Sequence, residues 1–300
     1  MLKISHSAIY AHPLPEGHRF PMLKYELIPE QLMYEGSIHS SQLFVPLECS
    51  ANDILLTHEP AYYQRLIHQQ LSTSEQRVIG FPQSLQLITR EHIITQGTID
   101  CSLFAMEHGC AINVAGGTHH AFADRGEGFC LLNDMAVAAN YLLHKNLAKR
   151  ILIIDLDVHQ GNGTAKLMEN VSEVFTFSVH GKNNYPFRKE KSDLDVGLED
   201  GTSGVEYLHT LESVLPQMVD TFQPDFVFYL AGVDVLATDK LGKFKLSISE
   251  CKQRDKFVLD LLHKHKIPVS IALGGGYSPD IKDIVEAHCN TFRLALDLFD

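Results

Sequence analysis

No stretch of this 300-residue sequence approaches the roughly 20 consecutive apolar residues that a membrane-crossing helix needs. The opening segment MLKISHSAIYAHPLP has no long apolar core and does not read as a secretory signal. The six cysteines (Cys49, Cys101, Cys110, Cys130, Cys251, Cys289) include no C-x-x-C pair, which argues against both a disulfide framework and a cysteine-built zinc site. Positive charge is scarce: 25 Lys and Arg face 37 Asp and Glu, a formal net charge of −12, so the clustered cations that a phosphate backbone requires are lacking. That balance suits a cationic substrate such as a lysine-rich tail or an amine, although many cytosolic proteins are acidic simply for solubility. No Pro-, Gly- or Ser-rich linker and no repeat divides the chain. These absences predict a cytoplasmic protein with no membrane span and no direct nucleic-acid partner, built as a single domain over residues 1–300. A hydrophobic content of 45% is ample for a core of that size. Nothing in the pattern fixes an oligomeric state.

What is present is an alternation of strands and helices. RILIIDLDVH (150–159), EVFTFSVH (173–180), DFVFYLAGVD (225–234) and PVSIALGGGY (268–277) begin as continuous apolar, largely β-branched or aromatic runs, as expected of strands buried on both faces. GVEYLHTLESVLPQMVDTF carries Tyr207, Leu211, Leu215, Met218 and Phe222 at helical spacing, with Pro216 a candidate kink. SECKQRDKFVLDLLHKHK is a second helix capped by Ser247 or Ser249, and MAVAANYLLHK a third capped by Asn133 or Asp134. The pattern predicts an α/β fold with a largely parallel central β-sheet flanked by helices. Each of the four runs ends in polar, titratable or glycine-rich residues. Ligands of open α/β sheets bind at the carboxyl ends of strands, so these endings converge on one site.

In D-L-D-V-H, an extended strand would point Asp155, Asp157 and His159 to the same side. Two carboxylates and an imidazole on one face call for a cation between them, and an O/N donor set without sulfur suits zinc or another first-row divalent metal. Asp234, ending another strand, supplies a third ligand and leaves a position open for water and substrate. The plainer reading of Asp157 alone is a cap for the helix that follows. In G-G-T-H-H-A, His119 and His120 offer imidazoles that serve as acid and base near neutral pH, where a bland reading sees two solvated histidines. Tyr277 after G-G-G places a phenol able to donate to a developing oxyanion, where a bland reading sees a tight turn.

Taken in order, GGTHHAFADRGEGFCLLND, DLDVHQGNGT, FSVH, AGVDVLATD and GGGY resemble the histone deacetylase superfamily, from about Ile112 to Tyr277, with weaker echoes at HRFPM and THEPAYYQRL. DVHQGNG and SDLDVGLEDGT are most similar to its class IV branch and bacterial relatives. The resemblance implies the open arginase/deacetylase fold with an eight-stranded parallel sheet. It implies one Zn2+ on Asp157, His159 and Asp234, with His119 and His120 as the acid–base pair and Tyr277 as the electrophilic donor. Phe129 and Tyr185 would wall a channel for an acyl-lysine stem, the Gly128 carbonyl would meet the substrate N–H, and Arg19 would lie below the metal near an exit for the released acid. Asp155 would orient His119 and, with Ser178, help hold a structural K+. Asn162 stands where class I members carry a second Asp, Tyr185 where Phe is usual, and Gln160 where class I has His. An asparagine orients an imidazole without stabilising its charged form as a carboxylate does.

The reading is therefore a zinc-dependent hydrolase of an acylated lysine in a protein or peptide. The main alternative is a small-molecule amidohydrolase acting on acetylated polyamines or related amides. A two-metal ureohydrolase would carry D-x-H-x-D and paired later aspartates rather than D-x-D-x-H and G-V-D, and an inactive binding module would have lost a ligand, a histidine or the tyrosine. The class IV likeness makes long acyl chains worth testing.

Overall fold

The computed structural model describes residues 1–300. Eight strands, β1 (Lys3–Ser5), β2 (Leu43–Phe44), β3 (Cys110–Asn113), β4 (Ile151–Asp155), β5 (Val174–Gly181), β6 (Leu194–Leu198), β7 (Phe226–Leu230) and β8 (Val269–Ala272), form one sheet in the order β2-β1-β3-β8-β7-β4-β5-β6. Every pairing is parallel. β3, β4, β7 and β8 are buried along their whole length, which is why their sequences read as unbroken apolar runs rather than alternations.

Ten helices complete the chain: α1 (Lys24–Tyr34), α2 (Ala51–Ile54), α3 (Pro60–Ile67), α4 (Thr73–Ile79), α5 (Leu85–His108), α6 (Asp134–His144), α7 (Asn162–Met168), α8 (Gly204–Phe222), α9 (Ile248–His265) and α10 (Ile281–Phe299). They flank the sheet in two groups, one running α8–α9–α10–α1 and the other joining α5 to α6 with α2, α3 and α7 around them. Local chemistry fixes their starts. Ser203 and Ser247 each form a capping box with the glutamate three residues on, and Asn133 accepts from the Ala136 N–H, so the caps of α8, α9 and α6 are Ser203, Ser247 and Asn133. Pro216 lies inside α8 without ending it. No helix is long and apolar enough to cross a membrane.

The strands stop earlier than the apolar runs suggest. β4 ends at Asp155, and Asp157–His159 form a bend instead of continuing the strand. The cause is local: Asp155 Oδ1 accepts from Asp157 N–H at 3.1 Å, and Asp157 Oδ1 accepts from His159 N–H at 3.0 Å. Short acidic side chains that bond the backbone two residues on favour turns over a ladder. The three side chains reach one site through this bend and not through strand alternation.

Candidate active site

Beyond the carboxyl ends of β3, β4, β7 and β8, the loops bring together the residues singled out in the sequence. Asp157, His159 and Asp234 are buried, and one ligand atom from each lies within 4.8 Å of the others. His159 Nδ1 sits 3.0 Å from both Asp157 Oδ1 and Asp234 Oδ2. Backbone N–H groups fix the carboxylates: Val158 donates to Asp234 Oδ1 at 2.9 Å, and Gly275 donates to Asp157 Oδ2 at 2.9 Å. Gly275 has to be glycine, because a Cβ there would lie 2.2 Å from Asp234 Oδ2 and 2.7 Å from Asp157 Oδ2. Burial opposes charge on His159, yet its bonds to Asp157 and Asp234 raise it to about 10. Two buried carboxylates on one imidazole thus form a site that demands positive charge, and their O/N donor set fits a divalent first-row ion.

His119 and His120 lie beside this cluster with ring centroids 4.1 Å apart, and their outer nitrogens have different partners. His119 Nδ1 is 2.7 Å from Asp155 Oδ2, whereas His120 Nδ1 is 2.6 Å from Asn162 Oδ1. The Asn162 amide is itself oriented by its Nδ2, which donates to Glu127. Burial would lower His119, but the charge and hydrogen bond of Asp155 hold it above the ordinary histidine value. Burial pushes His120 well below that value, and the neighbouring imidazoles add to the effect. Tyr277 closes the far side, its ring 6.4 Å from that of His159 and its N–H bonded to Asp239 Oδ2 at 2.6 Å. Burial, then the nearby Asp157 and Asp234, keep its phenol protonated well above the usual range.

The sequence matches the histone deacetylase domain over residues 18–292. The chain belongs to the histone deacetylase family. It is 31% identical over 272 residues to Histone deacetylase 2 of Arabidopsis thaliana, covering 87% of this chain and 70% of that one. It is 41% identical over 290 residues to an uncharacterized protein of Picosynechococcus sp., covering 97% of each. In three dimensions it is similar to an HDAC homologue from Aquifex aeolicus, at 25% identity and a TM-score of 0.81, over 97% of this chain and 82% of the other. Membership makes this a deacetylase-type amide hydrolase on the expected all-parallel α/β fold.

The candidate site has two chambers. A tight inner cavity of about 40 Å³ is lined by His119, His120, Asp157, His159 and Tyr277, with Phe20, Tyr25 and Arg90 among the other residues around it. An outer vestibule of about 500 Å³ shares His120, Gly128, Phe129, His159 and Tyr277 and adds Tyr185. Phe129 and Tyr185 therefore stand at the passage between surface and cluster. Gly128 and Phe129 both have left-handed backbones, φ +56° and +68°. A Cβ on Gly128 would fall 2.6 Å from His120 Cδ2, so only glycine fits against that ring.

Arg19 is the exception among the expected site residues. It is exposed, its guanidinium lies 5.0 Å from the Phe129 ring centroid, and it lines the vestibule rather than the floor below the cluster. The neighbouring Phe20 turns inward to the cavity instead, because His18 pins this segment to the Gly80 carbonyl at 2.9 Å and stacks on Phe81. The cation in the inner cavity is Arg90 on α5, buried and bonded to the Tyr10 carbonyl at 2.7 Å and to Glu91. Asp155 and Ser178 are register partners on β4 and β5, and Ser178 Oγ is bonded to His180 Nδ1 at 3.0 Å.

Sequence reasoning missed several supports. Arg254 on α9 is fully buried and donates to the carbonyls of Leu156 at 3.1 Å and Gly232 at 2.7 Å, tying together the two loops that carry Asp157 and Asp234. Lys24, also fully buried, donates to the Gly274 carbonyl at 2.6 Å. His58 bridges the Phe122 carbonyl and the Asn133 N–H, holding both ends of the segment that carries Phe129. Asp239, which accepts the Tyr277 N–H, and Asp134, whose carboxylate accepts the Thr118 N–H at 2.8 Å just before the two histidines, stand inside motifs already quoted, AGVDVLATD and LLND, so position alone could have flagged them.

Proposed function

We propose that this chain is a zinc-dependent deacylase that hydrolyses the amide of an acylated lysine. The observation that carries the reading is the asymmetric pair of histidines beside a buried Asp–His–Asp cluster at the bottom of an aromatic passage. Asp157, His159 and Asp234 would hold the metal. When bound, it supplies Lewis acidity to the acyl carbonyl and to water.

The chain's own groups do the rest. Phe129 and Tyr185 flank a slim aliphatic stem, and the carbonyl of Gly128 accepts the amide N–H. The Nδ1–H of His120 is committed to Asn162 Oδ1, so its Nε2 is the free lone pair and takes the proton of the attacking water. As oxygen adds to the acyl carbon, Tyr277 donates its phenol hydrogen bond to the developing oxyanion. His119, whose Nδ1–H is backed by the Asp155 carboxylate, carries the more strongly held proton and gives it from Nε2 to the nitrogen as the C–N bond breaks. The products are a free amine and a carboxylate, and the water proton left on His120 returns the site to its starting state by exchange through His119.

The test is a screen of the zinc-loaded protein against peptides bearing acetyl-, trifluoroacetyl- and myristoyl-lysine, run beside acetylated polyamines. Turnover of at least one acyl-lysine peptide, abolished by chelation and restored by zinc, is the expected result. Turnover confined to acetylated polyamines would overturn the lysine assignment in favour of a small-molecule amidohydrolase. An apo protein with equal activity would overturn the metal.

A further inference from the structure

The vestibule differs in sign from the rest of the molecule. The chain carries 37 acidic against 25 basic residues, yet the residues lining the vestibule include Arg19, Lys240 and Lys243 and no carboxylate. Lys243 is partly neutralised by Asp200 at 3.1 Å. Arg19 and Lys240 are exposed and take part in no ion pair within the chain. The nearest acid in sequence, Asp239, is turned inward: its oxygens accept the N–H groups of Leu241 and Gly242, at 2.8 Å each, and of Tyr277 at 2.6 Å. The Arg19 guanidinium lies over the Phe129 ring that walls the passage, 5.0 Å from its centroid. A positive rim on an acidic protein focuses anions at this mouth and repels cations from it.

We propose that this rim selects substrates that carry a carboxylate at the outer end of the stem bearing the acylated amine, and disfavours polybasic tails and acetylated polyamines. The inference rests on the deacylase reading and narrows it. With the acyl group at the cluster and the stem between Phe129 and Tyr185, whatever the outer end of the stem is attached to emerges beside Arg19 and Lys240. A free α-carboxylate on a single acyl-lysine and an aspartate or glutamate next to it in a peptide present the same chemistry there. A lysine or arginine at that point meets two like charges, and Glu127, the acid beside Tyr185, is engaged by the Asn162 amide.

The experiment compares kcat/KM for matched acyl-lysine peptides with acidic, neutral or basic flanks, for Nε-acyl-lysine with a free or an amidated α-carboxyl, and for an acetylated polyamine. At low ionic strength the acidic peptide should exceed the basic one by about 10-fold, a ratio shrinking severalfold near 0.5 M salt as the rim charges are screened. Arg19→Glu combined with Lys240→Glu should invert the order. The free-against-amidated pair tells whether the α-carboxylate suffices or side-chain acids are needed. A preference for basic flanks or polyamines, or a ratio that responds to neither salt nor the two substitutions, overturns the proposal. Cleavage of the neutral peptide without any charge preference sinks the rim alone and leaves the deacylase reading intact. If no amide is cleaved, the deacylase reading fails. The rim is then decided by the affinity of hydroxamates capped with a carboxylate or an ammonium, read by thermal shift, and equal affinities refute it.

Discussion

Arg254 offers the sharpest test of how the fold holds the site. Its guanidinium is fully buried, with Nε 2.8 Å from Asp255 Oδ1 and Nη1 donating to the Leu156 and Gly232 carbonyls. Arg254→Met keeps the aliphatic volume, removes those donors and leaves Asp255 as a buried charge. Breaking a buried pair from one side costs about 3–5 kcal/mol. The lower end applies here, because Asp255 keeps the hydroxyls of Tyr229 at 2.5 Å and Thr291 at 2.6 Å. At about 2.1 cal/mol/K of unfolding entropy per residue over 300 residues, that lower end, about 3 kcal/mol, lowers the melting midpoint by about 5 °C. The two released carbonyls also belong to the loops bearing Asp157 and Asp234, so zinc affinity should fall about 10–100-fold, as when other outer supports of a metal site are lost. Adding Asp255→Asn separates the two effects. It removes the uncompensated charge and should recover part of the stability, while zinc affinity stays low because Leu156 and Gly232 still lack their donor. Denaturation curves and competitive zinc titration measure both quantities. A variant with the parental midpoint and parental zinc affinity would refute the assignment of Arg254 as the tie between the two loops.

Other outcomes follow from the same geometry. Tyr277→Phe should lower kcat by about 10²–10³ with little change in KM or zinc content, since the lost hydrogen bond strengthens mainly in the transition state; near-normal turnover would reduce G-G-G-Y to a structural turn. Asp157→Ala should lose metal and activity together, read by elemental analysis and assay, and full zinc occupancy in that variant would disprove the ligand set. His58 gives a pH signature away from the metal. Its Nδ1 must donate to the Phe122 carbonyl and its Nε2 must accept the Asn133 N–H, so only the neutral ring fits, and burial pushes it down from 6.5 to about 4. The unfolded chain takes up the proton first as pH falls. Stability is therefore full above about pH 6.5, falls between 6.5 and 4, and is lower by about 2 kcal/mol at pH 5. Urea melts at pH 7.5 and 5 should show that loss in the parent and a shallower pH dependence in His58→Gln, and equal slopes would argue against it.

The parts of the site that were legible are those whose chemistry is concentrated in short segments. D-L-D-V-H, H-H and G-G-G-Y each follow a buried strand, and a parallel sheet brings strand ends together whatever the connections between them. The grouping of Asp157, His159 and Asp234 held even though the backbone geometry assumed for it did not, because a bend at Asp157–His159 and a continued strand both project these residues over the same sheet edge. Arg254, Lys24 and Arg90 were not legible, since a charged residue in a helix reads as solvent-facing until its buried carbonyl or carboxylate partners are known. Arg19 was misplaced for a related reason. Adjacent residues in an irregular segment can face opposite chambers, and only the anchoring of His18 on Gly80 decides that Phe20, not Arg19, turns inward.

The strand order also carries a consequence for how the protein is made. β8, residues Val269–Ala272, pairs with β3 on one side and β7 on the other, near the middle of the sheet. During synthesis it is the last strand to emerge. Until it does, β2-β1-β3 and β7-β4-β5-β6 are two half-sheets joined by no strand pairing, each ending in an apolar edge open to unwanted partners. The same segment brings Gly275 to Asp157 and delivers Tyr277, so the growing chain closes its sheet and completes its candidate active site in one late step. A ribosome-stalled chain ending before residue 269 should therefore depend on chaperones to stay in solution, with both half-sheets waiting for a strand that has yet to arrive.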